Sequence, residues 1–174
     1  MAIEWTGTAD DERYVGSNEA DTLDGGDGDD EILSGAGADI VEGGRGNDLI
    51  YGGAGNDVIT DEALTSTTGQ KLYGEDGDDQ ITGGGNISGG EGNDTIMVTA
   101  NSGAVSGDGG ADTITLDYGS VSSVTGGDGA DIITVDGGSV SYVSSGEGDD
   151  VLNLYSRVKK TVDSGSGDDQ VTLV

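Results

Sequence analysis

A nine-residue repeat constrains the fold of this chain more than any other sequence feature. Residues 25–60 read GGDGDDEIL, SGAGADIVE, GGRGNDLIY and GGAGNDVIT, which are four successive copies of one pattern. A weaker copy begins at Gly16, and further copies begin at Gly74, Gly89, Gly107, Gly126, Ser145 and Ser164. A fixed period of this kind predicts a stack of similar structural units, in which each unit contacts only its neighbours.

Each unit combines a turn of six residues, here numbered positions 1 to 6, with a short strand that has one inward apolar side chain. Glycine recurs in the turn because backbone conformations with positive φ are costly for other residues. Two units make one coil of about 18 residues, with a turn on each side. The sequence therefore predicts an all-β fold, a parallel β-solenoid of about nine coils in one continuous domain.

Taking every second turn separates the two sides of the solenoid. On side A, the turns that begin at residues 16, 34, 52, 74, 89, 107, 126, 145 and 164 all have aspartate at position 6. On side B, only the turns that begin at residues 25 and 43 keep the pattern. The position-6 residues are Asp21, Asp39, Asp57, Asp79, Asp94, Asp112, Asp131, Asp150 and Asp169 on side A, and Asp30 and Asp48 on side B.

Apolar residues keep the same register as the side-A turns. One column lies two residues after each aspartate and consists of Leu23, Val41, Ile59, Ile81, Ile96, Ile114, Ile133, Leu152 and Val171. The other lies two residues before each turn and consists of Tyr14, Ile32, Ile50, Leu72, Ile87, Val105, Val124, Val143 and Val162. The two columns predict two parallel sheets that face each other across a thin core.

The pattern G-G-x-G-x-D-x-U-x, in which U is apolar, resembles the nonapeptide of RTX, or hemolysin-type, calcium-binding proteins, and the resemblance covers residues 16–172. It implies a right-handed parallel β-roll with Ca²⁺ in the turns. It further implies that positions 2, 4 and 6 of one turn and positions 1, 3 and 6 of the next turn on the same side hold each ion. Nine turns on side A and two on side B then imply up to about nine ions.

Besides the aspartates, the resemblance implies metal ligands at four turn positions. At position 1 they are Gly25, Ser34, Gly43, Gly52, Gly74, Gly89, Gly107, Gly126, Ser145 and Ser164. At position 2 they are Gly26, Gly35, Gly53, Gly90, Gly127 and Gly146. At position 3 they are Asp27, Ala36, Arg45, Ala54, Asp76, Glu91, Gly109, Asp128, Glu147 and Ser166. At position 4 they are Gly28, Gly37, Gly55, Gly77, Gly92, Gly110, Gly129 and Gly148.

The charge of the chain calls for a cationic partner. The sequence has 35 acidic residues against 6 basic ones, a formal charge of −29, and such a chain with few aromatic residues repels itself and stays unfolded. Calcium binds carboxylate and carbonyl oxygens, which these turns provide. The same charge disfavours nucleic acid and anionic membrane surfaces as partners, and no segment approaches the roughly 20 apolar residues of a membrane span.

Departures from the repeat predict unequal sites. Glu19 replaces glycine at position 4, which predicts a strained or weak site between Asp21 and Asp39. Glu75 and Asp108 replace glycine at position 2, a mild departure if φ there is negative.

The repeat also predicts how the chain is divided. We expect an N-terminal cap at 1–15, a two-sided β-roll at 16–60, a side-B insertion at 61–73 and a one-sided solenoid with coils of 15–19 residues at 74–174. The insertion lengthens the spacing between two side-A turns and threatens the gap between Asp57 and Asp79.

The sequence predicts calcium-driven folding rather than catalysis. It has no His or Cys, no zinc motif and no G-x-S-x-G elbow, and its aspartates are assigned to turns, so we do not expect an enzyme. The resemblance implies a structural module of a bacterial protein that leaves the cell by type I secretion and folds outside when it binds calcium. The alternative is an adhesin module that recognises a polysaccharide, a cell surface or ice. A bare last coil indicates either a piece of a larger protein or end-to-end packing between copies.

Overall fold

The computed structural model describes residues 1–61 and 69–174, which form strands and turns. The first nine strands are β1 (Glu4–Thr6), β2 (Arg13–Val15), β3 (Thr22–Asp24), β4 (Glu31–Ala36), β5 (Ile40–Glu42), β6 (Leu49–Ala54), β7 (Val58–Thr60), β8 (Lys71–Asp76) and β9 (Gln80–Glu91). The others are β10 (Thr95–Gly109), β11 (Thr113–Leu116), β12 (Ser120–Asp128), β13 (Ile132–Val135), β14 (Ser139–Glu147), β15 (Val151–Leu154), β16 (Arg157–Asp163) and β17 (Gln170–Leu173). No helix within these ranges is long and apolar enough to cross a membrane.

The strands form two parallel layers, because each strand pairs with its counterpart one coil along. One layer runs β1, β3, β5, β7, β9, β10, β11, β13, β15 and β17, and the other runs β2, β4, β6, β8, β9, β10, β12, β14 and β16. Strands β9 and β10 take part in both layers, so the hydrogen-bonded sheet continues around the coil there. The predicted all-β parallel solenoid of about nine coils is confirmed.

The two predicted apolar columns form the core. Ile59 pairs with Ile81 in one layer, and Ile50 pairs with Leu72 in the other, and all four side chains have no exposed surface. The register continues along the stack, so the aliphatic side chains from Leu23 to Leu152 pack between their equivalents in neighbouring coils. The last members of the two columns, Val162 and Val171, are 37 % and 45 % exposed and do not belong to the core. At the first coil, the Tyr14 ring stacks on Trp5 with 4.4 Å between ring centroids and packs against this core.

Later coils have a second set of buried residues that the side-A columns did not predict. Val98, Leu116, Val135 and Leu154 follow one another in one layer, and Val121 and Val140 follow one another in the other. All six are at most 3 % exposed. They lie beyond the last side-B calcium pattern, so apolar packing replaces the aspartate turns on that side.

The longer spacing between the side-A turns at 52 and 74 does not open the stack. The Asp57 amide donates to Asp79 Oδ1 at 2.7 Å, and the Gln80 amide donates to the Asp57 carbonyl at 2.8 Å, as at neighbouring turns. The gap between Asp57 and Asp79, which the longer spacing was expected to threaten, therefore keeps the hydrogen bonds of the neighbouring gaps. Residues 62–68 of the expected insertion lie outside the described residues.

Candidate metal centre

Equivalent turn positions lie directly above one another on each side. On side A, position 2 pairs in the series Gly35, Gly53, Glu75, Gly90, Asp108, Gly127 and Gly146. Position 3 pairs in the series Ala36, Ala54, Asp76, Glu91, Gly109, Asp128, Glu147 and Ser166. On side B, Asp27 pairs with Arg45. The structure thus brings together the predicted site residues of successive turns.

Alternating backbone conformations aim the turn carbonyls at the gaps between coils. Gly53 and Gly55, at positions 2 and 4, have φ of 101° and 130°, which side chains with a Cβ rarely adopt. A Cβ on Gly53 would collide with the carbonyl oxygen of Gly35, one coil earlier. The carbonyls of positions 2 and 4 therefore point forward along the solenoid.

The carbonyls of positions 1 and 3 point the opposite way. The Gly55 amide donates to the carbonyl of Asp76, the position-3 residue of the next turn, at 2.7 Å. The same bond recurs at 2.7–2.8 Å between each pair of turns from Gly37 onward on side A, and between Gly28 and Arg45 on side B. Each gap is consequently lined by carbonyl oxygens from two successive turns.

The aspartates form a ladder along each side. On side A, the amide of each aspartate from Asp21 to Asp150 donates to Oδ1 of the aspartate one coil along, at 2.6–3.1 Å. On side B, the Asp30 amide donates to Asp48 Oδ1 at 2.8 Å. These bonds use one carboxylate oxygen of each aspartate and hold the carboxylate in the gap.

The other carboxylate oxygen is buried and accepts no hydrogen bond from the described residues. This applies to Oδ2 of Asp30, Asp39, Asp48, Asp57, Asp79, Asp94, Asp112, Asp131 and Asp150. A Cβ placed on Gly52 would lie 2.6 Å from Asp57 Oδ2 and 2.7 Å from the carbonyl oxygen of Gly74. Glycine at position 1 thus leaves space between a carboxylate oxygen and a carbonyl oxygen. Because unpaired buried oxygens are costly, this space suits a cation that binds both of them.

Serine at position 1 modifies this arrangement in two turns. The Ser145 hydroxyl donates to the Ser164 carbonyl at 2.7 Å, and the Ser34 hydroxyl donates to the Gly52 carbonyl. The serine hydroxyl therefore approaches the next position-1 carbonyl, which in other turns faces only glycine.

Burial makes the charged form of several ladder carboxylates unfavourable. Burial raises the pKa of Asp48, Asp57 and Asp94 to about 6. Burial, together with neighbouring carboxylates, raises the pKa of Asp79 and Asp131 to about 7. No group of three or more Asp or Glu side chains in the described part of the chain converges on one point.

The first side-A turn differs from the others. The Ile3 amide donates to Asp21 Oδ1 at 2.5 Å, and the Ser17 amide donates to Asp21 Oδ2 at 2.6 Å. Burial alone would raise the pKa of Asp21, but the hydrogen bonds from Ser17 and Ile3 have the larger combined effect, so the pKa lies below its ordinary value. Glu19 is not among the described non-glycine residues with positive φ, so the backbone shows no strain of this kind there.

Two other departures from glycine are more severe than the sequence suggested. Glu75 and Asp108 have φ of 78° and 76°, and they are the non-glycine residues with positive φ in the described part of the chain. A negative φ at Glu75 and Asp108 would have made these replacements mild, but φ is positive at both residues. The Asp108 carboxylate accepts hydrogen bonds from the hydroxyls of Ser106, at 2.6 Å, and Ser88.

The sequence analysis missed one turn on side B. Gly7 occupies position 1, since its amide donates to the Asp24 carbonyl at 2.7 Å, and Glu12 occupies position 6, since its amide donates to Asp30 Oδ1 at 2.8 Å. The signals for this turn were the glycine, the acidic residue five positions later and Tyr14 two residues beyond it. The segment 1–15 thus contributes a turn to the side-B stack.

Comparison with known proteins agrees with this geometry. The family model described as the RTX calcium-binding nonapeptide repeat (4 copies) matches residues 6–41, 34–60, 71–87 and 122–139. No curated protein matches the chain. The four matches cover slightly more than half of the chain, and the chain therefore belongs to the family of RTX calcium-binding nonapeptide repeat proteins.

Proposed function

We propose that calcium occupies the gaps between successive turns and is held by carbonyls of positions 2 and 4 of one turn, carbonyls of positions 1 and 3 of the next, and the aspartates of both. The observation that carries this assignment is the buried, unpaired Oδ2 of nine aspartates in a calcium-binding β-roll. Calcium supplies the positive charge that removes repulsion between these carboxylates.

In this proposal, calcium binding drives the folding of the module. The chain brings a formal charge of −29 into a narrow solenoid, and its ladder carboxylates are buried. Calcium-free chains then stay unfolded, and the free energy of binding becomes free energy of folding. Such a switch suits a structural module that stays unfolded at low calcium inside the cell, leaves by type I secretion and folds outside, where comparable modules bind calcium at about 10⁻⁴–10⁻³ M.

Far-ultraviolet circular dichroism during a calcium titration tests this function. We expect a cooperative gain of β-sheet signal within about 0.1–10 mM calcium. Magnesium at the same concentrations is the matched control, because it demands octahedral geometry and retains its waters. A chain that gains no β-sheet signal up to about 10 mM calcium would contradict the proposal.

A second candidate function is recognition of a polysaccharide, and one feature favours it. The rings of Tyr51 and Tyr73 stack with 5.0 Å between centroids. Tyr51, together with Leu33 and Glu75, lines a cavity of about 270 Å³. An aromatic face beside a carboxylate suits the apolar face and the hydroxyls of a sugar ring. Binding of the calcium-loaded chain to a glycan panel, lost in Tyr51→Ala but not in Tyr118→Ala, would support this function. If the calcium-loaded chain binds no glycan, polysaccharide recognition is excluded and the structural role is the remaining function.

A further inference from the structure

We propose that side B holds one more calcium ion than the nonapeptide pattern predicts, between the turn at Gly43–Asp48 and the pair Asp61 and Gln70. This site rests on the calcium-binding function proposed above. It lies beyond the last side-B copy of the repeat, where the sequence pattern ends the calcium ladder.

The backbone places Asp61 and Gln70 where a third side-B turn would have its first and sixth residues. The amides of the position-1 residues Gly25 and Gly43 donate to Glu42 and Thr60, at 2.8 and 2.9 Å, and the Asp61 amide donates to Thr82 at 2.9 Å. Asp61 therefore continues the series of position-1 residues.

Gln70 continues the series of position-6 residues. The Leu49 amide donates to the Asp30 carbonyl at 2.8 Å, and the Lys71 amide donates to the Asp48 carbonyl at 2.8 Å. Since Leu49 also pairs with Lys71, Gln70 stands one coil along from Asp48. An amide thus takes the place of the next ladder carboxylate.

Asp61 supplies an oxygen at the place where other gaps have a carbonyl. A Cβ on Gly43 would lie 2.9 Å from Asp48 Oδ2 and 2.9 Å from Asp61 Oδ2. At the equivalent Gly52, the neighbours are Asp57 Oδ2 and a backbone carbonyl. Two carboxylate oxygens therefore flank the point that a carboxylate and a carbonyl flank elsewhere.

Buried polar atoms give a second indication of a ligand here. Asp48 has no exposed surface, and its Oδ2 accepts no hydrogen bond from the described residues. Gln70 is 1 % exposed, and neither Oε1 nor Nε2 has a partner in the described part of the chain. A side-chain amide oxygen is a normal calcium ligand, whereas an unpaired buried amide is costly.

The turn at Gly43 completes the set of oxygens. A Cβ on Gly44 or Gly46 would collide with a carbonyl of the preceding coil, so carbonyls of positions 2 and 4 point forward on this side also. The carbonyls of Gly44 and Gly46 then face the same gap as Asp48. Arg45 does not neutralise these carboxylates, because its exposed guanidinium lies 3.9 Å from Asp27 in the preceding turn.

Counting bound ions by native mass spectrometry at saturating calcium tests the site. We expect Asp61→Ala to bind one ion fewer than the unmodified chain, and the matched control Asp117→Ala, an exposed side-B aspartate, to bind the full number. An undiminished count in Asp61→Ala overturns the site while the proposed function stands. An unmodified chain that binds no calcium overturns the proposed function and this site together.

Variants of Gln70 keep the test decisive if Asp61→Ala does not fold. Gln70→Leu fills the position without an oxygen and should lose one ion while retaining its β-sheet signal. Gln70→Glu adds a charged ligand and should lower the calcium concentration that fills this site by roughly tenfold. A full ion count in Gln70→Leu, or a Gln70→Glu chain that needs more calcium than the unmodified one, overturns the proposal.

Discussion

Each internal ladder aspartate joins two coils through Oδ1 of its carboxylate and presents its buried Oδ2 to the gap. Asp94 shows both features: its Oδ1 accepts a hydrogen bond from the Asp79 amide at 2.8 Å, and its Oδ2 is buried without a partner among the described residues. Asparagine retains an acceptor for the Asp79 amide but loses the charge. Asp94→Asn can therefore separate the effect of the negative charge from that of the hydrogen bond.

We expect Asp94→Asn to raise the calcium concentration at the folding midpoint by about tenfold, which corresponds to about 1.4 kcal/mol. A calcium titration followed by circular dichroism measures this change. Asp117→Asn, an exposed aspartate outside the ladder, should leave the midpoint unchanged. Equal midpoints for Asp94→Asn and the unmodified chain would show that this carboxylate holds no ion.

Backbone strain at position 2 leads to a second prediction. Glu75 has φ of 78°, so Glu75→Gly should stabilise the calcium-loaded chain by about 1 kcal/mol. Asp108→Gly should stabilise it less, because it loses hydrogen bonds from Ser88 and Ser106. Thermal unfolding in saturating calcium measures both. A lower melting temperature for Glu75→Gly would contradict the strain.

The sequence was sufficient to predict which residues form the ladder, because position 6 repeats without exception on side A. It did not reveal φ at Glu75 or Asp108, since a charged residue in place of glycine is compatible with either sign. It also did not reveal the turn at Gly7, where Glu12 replaces the aspartate. The division of the chain at 61–73 stays a prediction.

Strands of the one-sided coils close side B by apolar packing. Leu116 lies between Val98 and Val135 in the stack, and all three are at most 1 % exposed. The side-A pattern could not predict this column, because the side-B segments vary in length and lack the aspartate that marks the register. Strands β9 and β10, which take part in both layers, carry the register through this change.

We expect Leu116→Ala to destabilise the calcium-loaded chain by about 2–4 kcal/mol, because the thin core leaves few neighbours to fill the space. Denaturant unfolding in saturating calcium measures the loss. Ile132→Ala is the matched control, since Ile132 is 42 % exposed and should cost less than about 1 kcal/mol. Similar losses for the two variants would mean that Leu116 does not belong to a packed column.

At the scale of the whole molecule, charge and protonation are coupled to folding. Burial raises the pKa of Asp79 and Asp131 from 3.8 to about 7 in the folded chain. A carboxyl whose pKa is higher in the folded state favours folding when it is protonated. This contribution is fully present below the unfolded pKa, near 3.8, and is lost as the pH rises through about 7.

Calcium reverses this dependence, because the ion binds the deprotonated carboxylate and competes with the proton. In calcium-free buffer, lowering the pH from about 8 to about 5 should therefore increase the β-sheet signal. Over the same range, the calcium concentration at the folding midpoint should rise as the pH falls below about 7. Circular dichroism across a grid of pH and calcium concentrations measures both trends. A midpoint that does not depend on pH between 5 and 8 would show that the buried ladder carboxylates do not hold the ions.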